Sequence, residues 1–143
     1  MAIYSLATRS TVTTIAAANE EVRTAATDRA SVMEIGIFLA AATASVYGIG
    51  RPAAIGVTPT SPITVLAEDP ASPAGTVTTA VAWGTGPTVP ANFFRRIALP
   101  ATIGTGVIWT FPRGLVIAVS SSIVFWNITT NSAAVDNHVV VDE

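Results

Sequence analysis

Between Thr76 and Trp83 the chain alternates strictly, with Val77, Thr79, Val81 and Trp83 on one side and the smaller Thr76, Thr78, Ala80 and Ala82 on the other. A repeat of two is the repeat of a β-strand, whose successive side chains point to opposite faces of a sheet. The pattern recurs. Val107, Trp109 and Phe111 share a face, with Ile108 and Thr110 opposite, and Leu115, Ile117 and Val119 form a third set. Turn-forming residues separate these runs. Gly84-Thr85-Gly86-Pro87 closes the first, Pro100 and Gly104-Thr105-Gly106 lie between the next two, and Pro112-Arg113-Gly114 reads as a tight connection. Short alternating strands at such spacing predict an all-β chain, an antiparallel β-sandwich or barrel.

Earlier strands are predicted over Met33–Ala42, Ser45–Ile49 and Ile63–Ala67, and a last one over Val135–Val141. The loops Arg51–Pro62 and Glu68–Gly75 carry several prolines, which lack the N–H a ladder needs, so both are expected to stay outside the sheets. Thr13–Thr27 is ambiguous: Ala16 to Arg23 contains helix formers, but Thr and Val flank it and no apolar stripe appears, which favours extended chain with one short helix or turn. Residues 1–28 are therefore expected as an N-terminal arm with a first strand, the arm serving attachment more than the core. Residues 29–143 are expected as a single domain, a size that needs neither disulfide nor metal to hold it.

Several strands are apolar on both faces. Val124, Trp126 and Ile128 point one way, Ile123 and Phe125 the other; Met33, Ile35, Ile37 and Leu39 share a face, with Phe38 opposite. A sandwich sheet ordinarily shows water one face. A second layer is implied, and oligomerisation is its simplest source. Composition agrees: only 11% of the 143 residues are charged, all seven basic residues are Arg, and half the chain is hydrophobic, against about a quarter charged in ordinary domains.

The same numbers exclude other roles. The longest helix-like apolar stretch, Ile35–Tyr47, is 13 residues, short of the roughly 20 a spanning helix needs. Met1–Thr11 lacks the apolar core of a secretion signal. A net charge of −2 with scattered arginines, Arg95-Arg96 apart, argues against nucleic acid. With no Cys there is no thiol nucleophile, zinc ribbon or iron–sulfur site, and the redox compartment stays open.

No catalytic, cofactor or metal site assembles from the remaining candidates. His138 is the sole histidine and reads as an exposed residue near a strand end. Ser120-Ser121-Ser122 reads as a turn, with no nucleophile elbow around it. Glu68-Asp69 precedes Pro70 without calcium-loop spacing and reads as a solvated loop; Glu20-Glu21 and Asp142-Glu143 are the other acidic pairs. Gly48-x-Gly50 and Gly84-x-Gly86 lack the Lys or helix of a phosphate loop and read as turns. Asn127-Ile128-Thr129 matches a glycosylation acceptor with no secretion signal behind it.

Pro112-Arg113-Gly114-Leu115-Val116-Ile117, followed by Ser121-Ser122-Ile123-Val124-Phe125-Trp126-Asn127, resembles the late strands of a viral-type jelly roll. Residues 29–143, with Trp83-Gly84-Thr85-Gly86-Pro87-Thr88-Val89-Pro90 and Phe93-Phe94-Arg95-Arg96, resemble small virion proteins of tailed bacteriophages, among them capsid decoration or cement proteins. That resemblance implies a jelly-roll-like sandwich and a structural, non-enzymatic place in the virion, assembled in the host cytoplasm. It implies as partners a second and third copy of the chain in a homotrimer, and a major capsid protein or another virion protein. A tail, neck or head-fibre subunit and a carbohydrate-binding jelly-roll module are the alternatives. Trp83, Trp109 and Trp126 fall in alternating strands and read as core, which weighs against a sugar platform.

Phe93–Leu99 is the expected subunit interface. Alternation puts Phe93, Arg95, Ile97 and Leu99 inward and Phe94, Arg96 and Ala98 outward, and an aromatic–Arg pair is enriched at interface hot spots. Phe38, Phe94, Arg96 and Phe125 are the candidate interface residues. An inward Arg95 would need a carboxylate, from Glu34, Glu68 or Asp69.

Overall fold

The computed structural model describes residues 2–11, 17–129 and 133–143. Among them there are thirteen strands and no helix. The strands are β1 (Ile3–Thr11), β2 (Ala17–Arg23), β3 (Ala30–Leu39), β4 (Ser45–Gly50), β5 (Val57–Pro59), β6 (Ile63–Thr64) and β7 (Leu66–Ala67). They continue with β8 (Thr78–Ala80), β9 (Trp83–Thr85), β10 (Arg95–Leu99), β11 (Gly106–Ile117), β12 (Ser122–Asn127) and β13 (Ala134–Asp142). One sheet runs β11-β3-β13-β1-β7, the other β10-β4-β12-β2-β8-β6, and β5 pairs β9 alone.

Eight strands carry the architecture. Taken in chain order, β1, β2, β3 and β4 alternate between the two sheets, β10 pairs beside β4 in the same sheet, β11, β12 and β13 alternate again, and every pairing is antiparallel. That is the winding of a jelly roll, as expected. The core lies between the sheets. Val22, Ile123 and Phe125 reach in from one side and Ile35, Ile37, Val135 and Val139 from the other, all fully buried. Truncating such a side chain to Ala costs about 2–5 kcal/mol.

Residues 51–94, between β4 and β10, form a belt, and they change the sequence reading most. Ile63–Ala67 is two strands in two sheets: β6 pairs β8, then buried Val65 turns the chain so that β7 pairs β1. Thr76–Trp83 likewise breaks after Ala80, because β9 leaves the sheet to pair β5. The prolines do not keep this loop out of every ladder. Pro59 sits opposite Trp83 in the two-stranded ribbon, where an edge position spares it from donating.

The belt also supplies the second layer that was expected from other subunits. Val124 and Trp126, on the outer face of the six-stranded sheet, pack with Ala18, Trp83, Phe93 and Ile128. Gly48 and Gly50 are strand residues of β4, not turns. A Cβ on Gly48 would stand 2.7 Å from Phe93, and one on Gly50 2.7 Å from Pro90. Small residues there let the belt lie flat on the sheet.

Two irregularities move residues between faces. Pro112-Arg113-Gly114 is no turn between strands; it is a bulge inside β11, between Thr110 and Leu115, with Gly114 at φ +67°. Its neighbour β3 shifts register at the same level, so Val32 enters the core and Met33 does not. Within the residues expected as an N-terminal arm with a first strand, β1 and β2 are both strands of the sandwich. β1 pairs β13 from Ile3 to Thr11 and has β7 on its other side, and Ala17–Arg23 is a strand without any helix. Residues 13–16 of the ambiguous segment lie outside the described residues.

Candidate interaction site

The jelly roll has two flanks. On the near flank lie the edge strands β10 and β11, joined by residues 100–105; on the far flank lie β6 and β7, joined through Val65. The near flank is rich in arginine and aromatic rings. Arg51 lies over the Phe94 ring at 5.0 Å, Arg95 over Phe111 at 5.8 Å and Arg96 over Phe93 at 5.8 Å. Arg51 also donates from Nη2 to the Val116 carbonyl of β11 at 2.7 Å, tying the two edges together. Arg113 lines a shallow concavity with Phe111, Pro112 and Gly114 at the bulge. Among the described residues no carboxylate lies within ion-pair distance of Arg51, Arg95, Arg96 or Arg113; the pairs that form are Arg9–Asp136, Arg23–Glu21 and His138–Glu34. Guanidinium groups stacked on rings keep their charge and their donors available to a partner.

The candidate interface residues divide. Phe94 is 38% exposed and Arg96 is exposed, both beside the near edge. Phe38 is half-buried on the outer face of the five-stranded sheet, stacked on His138 with ring centroids 6.1 Å apart. Phe125 is fully buried between the sheets, so the structure removes it from any interface. It was misplaced because the outer layer was sought in another subunit; β12 has core on one face and belt on the other. Arg95 shares the face of Ile97 and Leu99, opposite Ile49, but at the start of the strand it is exposed, and none of Glu34, Glu68 or Asp69 pairs with it. Alternation holds within β10, where Ile97 and Leu99 face the inner cluster; Phe93 precedes the strand and packs on the outer cluster instead.

His138 is not near a strand end but in the middle of β13, opposite Gly36. Its Nε2 lies 3.0 Å from Glu34 Oε1. A Cβ at Gly36 would overlap the imidazole, 2.0 Å from Cε1. Val119 and Ser120 form the predicted turn, but Ser122 is a buried strand residue. Glu68-Asp69 is an exposed loop, with Asp69 Oδ1 accepting from the Ala71 N–H at 2.9 Å.

Sequence reasoning missed the most unusual pair. Glu20 and Glu21 are adjacent on β2 and both fully buried. They serve opposite faces. Glu21 points into the belt, where Oε1 accepts from Ser122 Oγ at 2.6 Å and the Gly56 N–H at 3.1 Å. Its Oε2 accepts from Trp83 Nε1 at 2.8 Å and Arg23 Nη1 at 3.4 Å. Arg23 also holds the Gly56 carbonyl at 2.8 Å. The carboxylate thus fastens the belt to the sheet.

Glu20 points between the sheets. Its Oε2 accepts from Thr8 Oγ1 at 2.7 Å, and Asn137 contributes a further hydrogen bond. Around it Asn19 and Asn137 each donate to Ser10 Oγ at 3.2 Å. Burial pushes the Glu20 carboxyl up to about 7, against the pull of Thr8 and Asn137. The register shift at Phe125/Trp126 gives Asn19 and Glu20 an inward place together.

The three tryptophans offer no flat platform for a sugar. Trp126 is buried, Trp83 is bonded to Glu21 and half-buried, and Trp109 packs against the inner core. Among the described residues no group of His, Asp and Glu is placed to hold a metal, and no helix is long and apolar enough to cross a membrane.

No protein-family model matches the chain, and no curated protein matches it. Among solved structures it is similar to the decameric BFDV capsid protein, at 4% identity and a TM-score of 0.34, over 97% of this chain and 94% of that one. That likeness is too distant to carry a function across.

Proposed function

We propose that this chain is a structural subunit of a virus particle, of the capsid decoration or cement type, working by contact with other protein subunits. The observation that carries the reading is the near flank, an aromatic edge with four arginines that have no carboxylate of their own chain to meet among the described residues. Such a combination is typical of surfaces that anchor a protein partner. Three further features support it. The jelly roll is stiffened by its own belt, as suits a part that bears load. The charge content is low, so little of the surface is built for solvation alone. The late strands of residues 112–127 resemble those of a viral-type jelly roll, and residues 29–143 resemble small virion proteins of tailed bacteriophages.

Mass spectrometry of density-gradient-purified particles from the source of the chain tests the role. The chain is expected there in a fixed ratio to the shell protein. Particles stripped of it are expected to break at lower temperature and to recover on adding the purified chain. Its absence from particles refutes the reading.

A further inference from the structure

We infer that the near flank binds the far flank of a second copy, so that copies assemble head to tail into a closed ring. The inference rests on the subunit reading and names the partner of that same surface. The two flanks are opposite edges of the same two sheets: β11 and β7 bound the five-stranded sheet, β10 and β6 the six-stranded one. Their chemistry is complementary. The near flank presents Arg51, Arg95, Arg96 and Arg113 without ion-pair partners among the described residues. The far flank presents Glu68 and Asp69 at the end of β7, both exposed and both outside every ion pair of the described chain.

Apolar groups accompany the charges on both sides. Phe94 and Ile108 (51% exposed) stand on the near flank, Ile63 and Leu66 (66% exposed) on the far one. β11, twelve residues long, is also an unpaired edge, a template for another strand, and no helix or loop of the described chain forms a ladder with its free side. With a net charge of −2 the molecule is not basic overall, so its positive flank meets its match in its own negative one rather than in a polyanion. Two different surfaces joined in this way form a heterologous contact, which closes into a ring when the rotation between copies permits.

Sedimentation velocity and light scattering at 50 mM salt on three full-length proteins test this: wild type, R95E/R96E and E68R/D69R. Circular dichroism first establishes that both variants keep the wild-type melt; all four positions are exposed. Wild type is expected above the mass of two chains, with assembly weakening as salt rises. Each variant alone is expected to raise the dissociation constant on the order of tenfold or more. Mixing the two variants, or placing all four substitutions in one chain, is expected to restore assembly, since the swapped charges again attract. A wild-type monomer at 100 µM protein, a mass that stops at two chains, or a loss caused by one flank only each overturns the inference. So does an unchanged assembly in R95E/R96E accompanied by binding of single-stranded DNA to wild type. The particle experiment is read separately. A chain present in particles with silent flanks removes this surface and leaves the virion role standing; a chain that forms rings but is absent from particles does the reverse.

Discussion

Glu20→Gln should make the protein more stable at pH 8 and leave it nearly unchanged at pH 5. The carboxyl is 1% exposed, and its folded-state value is about 7 against an ordinary 4.5. The folded chain therefore holds a proton that the unfolded chain has released between those two values. Stability depends on pH through that difference: where the native state binds more protons, stability falls as pH rises. A tenfold difference in proton affinity between the two states is worth about 1.4 kcal/mol, so the loss between pH 4.5 and pH 7 and above comes to roughly 3 kcal/mol. Gln keeps the shape and an acceptor for Thr8 but cannot ionise, so the variant should lose that slope. The assay is urea unfolding of both proteins at half-unit steps from pH 4.5 to 8.5, with m-values compared at each step. Asp136 does not blur the window. Its hydrogen bond with Arg9 lowers its value, so its own contribution is lost only as pH falls below the usual carboxylate range. A wild-type profile flat from pH 5 to 8, or a variant that tracks wild type at every pH, would refute the buried-carboxyl argument.

Glu21→Gln should loosen the belt, costing about 2–3 kcal/mol as charge-assisted bonds weaken, with a red shift of Trp83 fluorescence before global unfolding. Gly36→Ala should destabilise the five-stranded sheet by roughly 1–3 kcal/mol through overlap with His138, and His138→Ala in the same chain should recover most of it, as a double-mutant cycle in denaturant would show. Deleting residues 1–11 should abolish cooperative folding, seen as lost amide dispersion in a nitrogen–proton spectrum, because β1 lies between β13 and β7; a folded, monodisperse remainder would show it to be an arm.

The fold was legible where side-chain alternation met a plain sheet. Trp109 and Phe111 do pack inward while Ile108 stands exposed, and β12 does divide as Ile123 and Phe125 against Val124 and Trp126. It was not legible where one run serves two sheets. Val65 lies in the middle of a run that reads as one strand, and nothing local shows that the chain crosses the sandwich there. Glycine misled in the same way. Gly48 and Gly50 carry the composition of a turn, but their use is to admit Phe93 and Pro90 from a segment some forty residues on, which is tertiary information.

The candidate site was half legible for a related reason. Phe94 and Arg96 stand out in the sequence because an aromatic–Arg pair is conspicuous on any strand. Their neighbours Arg51 and Arg113 do not, since they come from the end of β4 and from a bulge that reads as a turn. The buried glutamates were hidden more deeply. On a regular strand, adjacent residues face opposite ways, so a Glu-Glu pair ought to expose at least one carboxylate. Here both faces of β2 are covered, one by the opposing sheet and one by the belt, and each carboxyl must find donors where it lands. Glu21 finds several and acts as a fastener. Glu20 finds fewer, among Asn19 and Asn137 whose own carbonyl oxygens have no partner among the described residues, and burial favours its protonated form. A covered outer face on the six-stranded sheet thus explains two features together: the two-sided apolar pattern of β12 and the buried acid pair of β2.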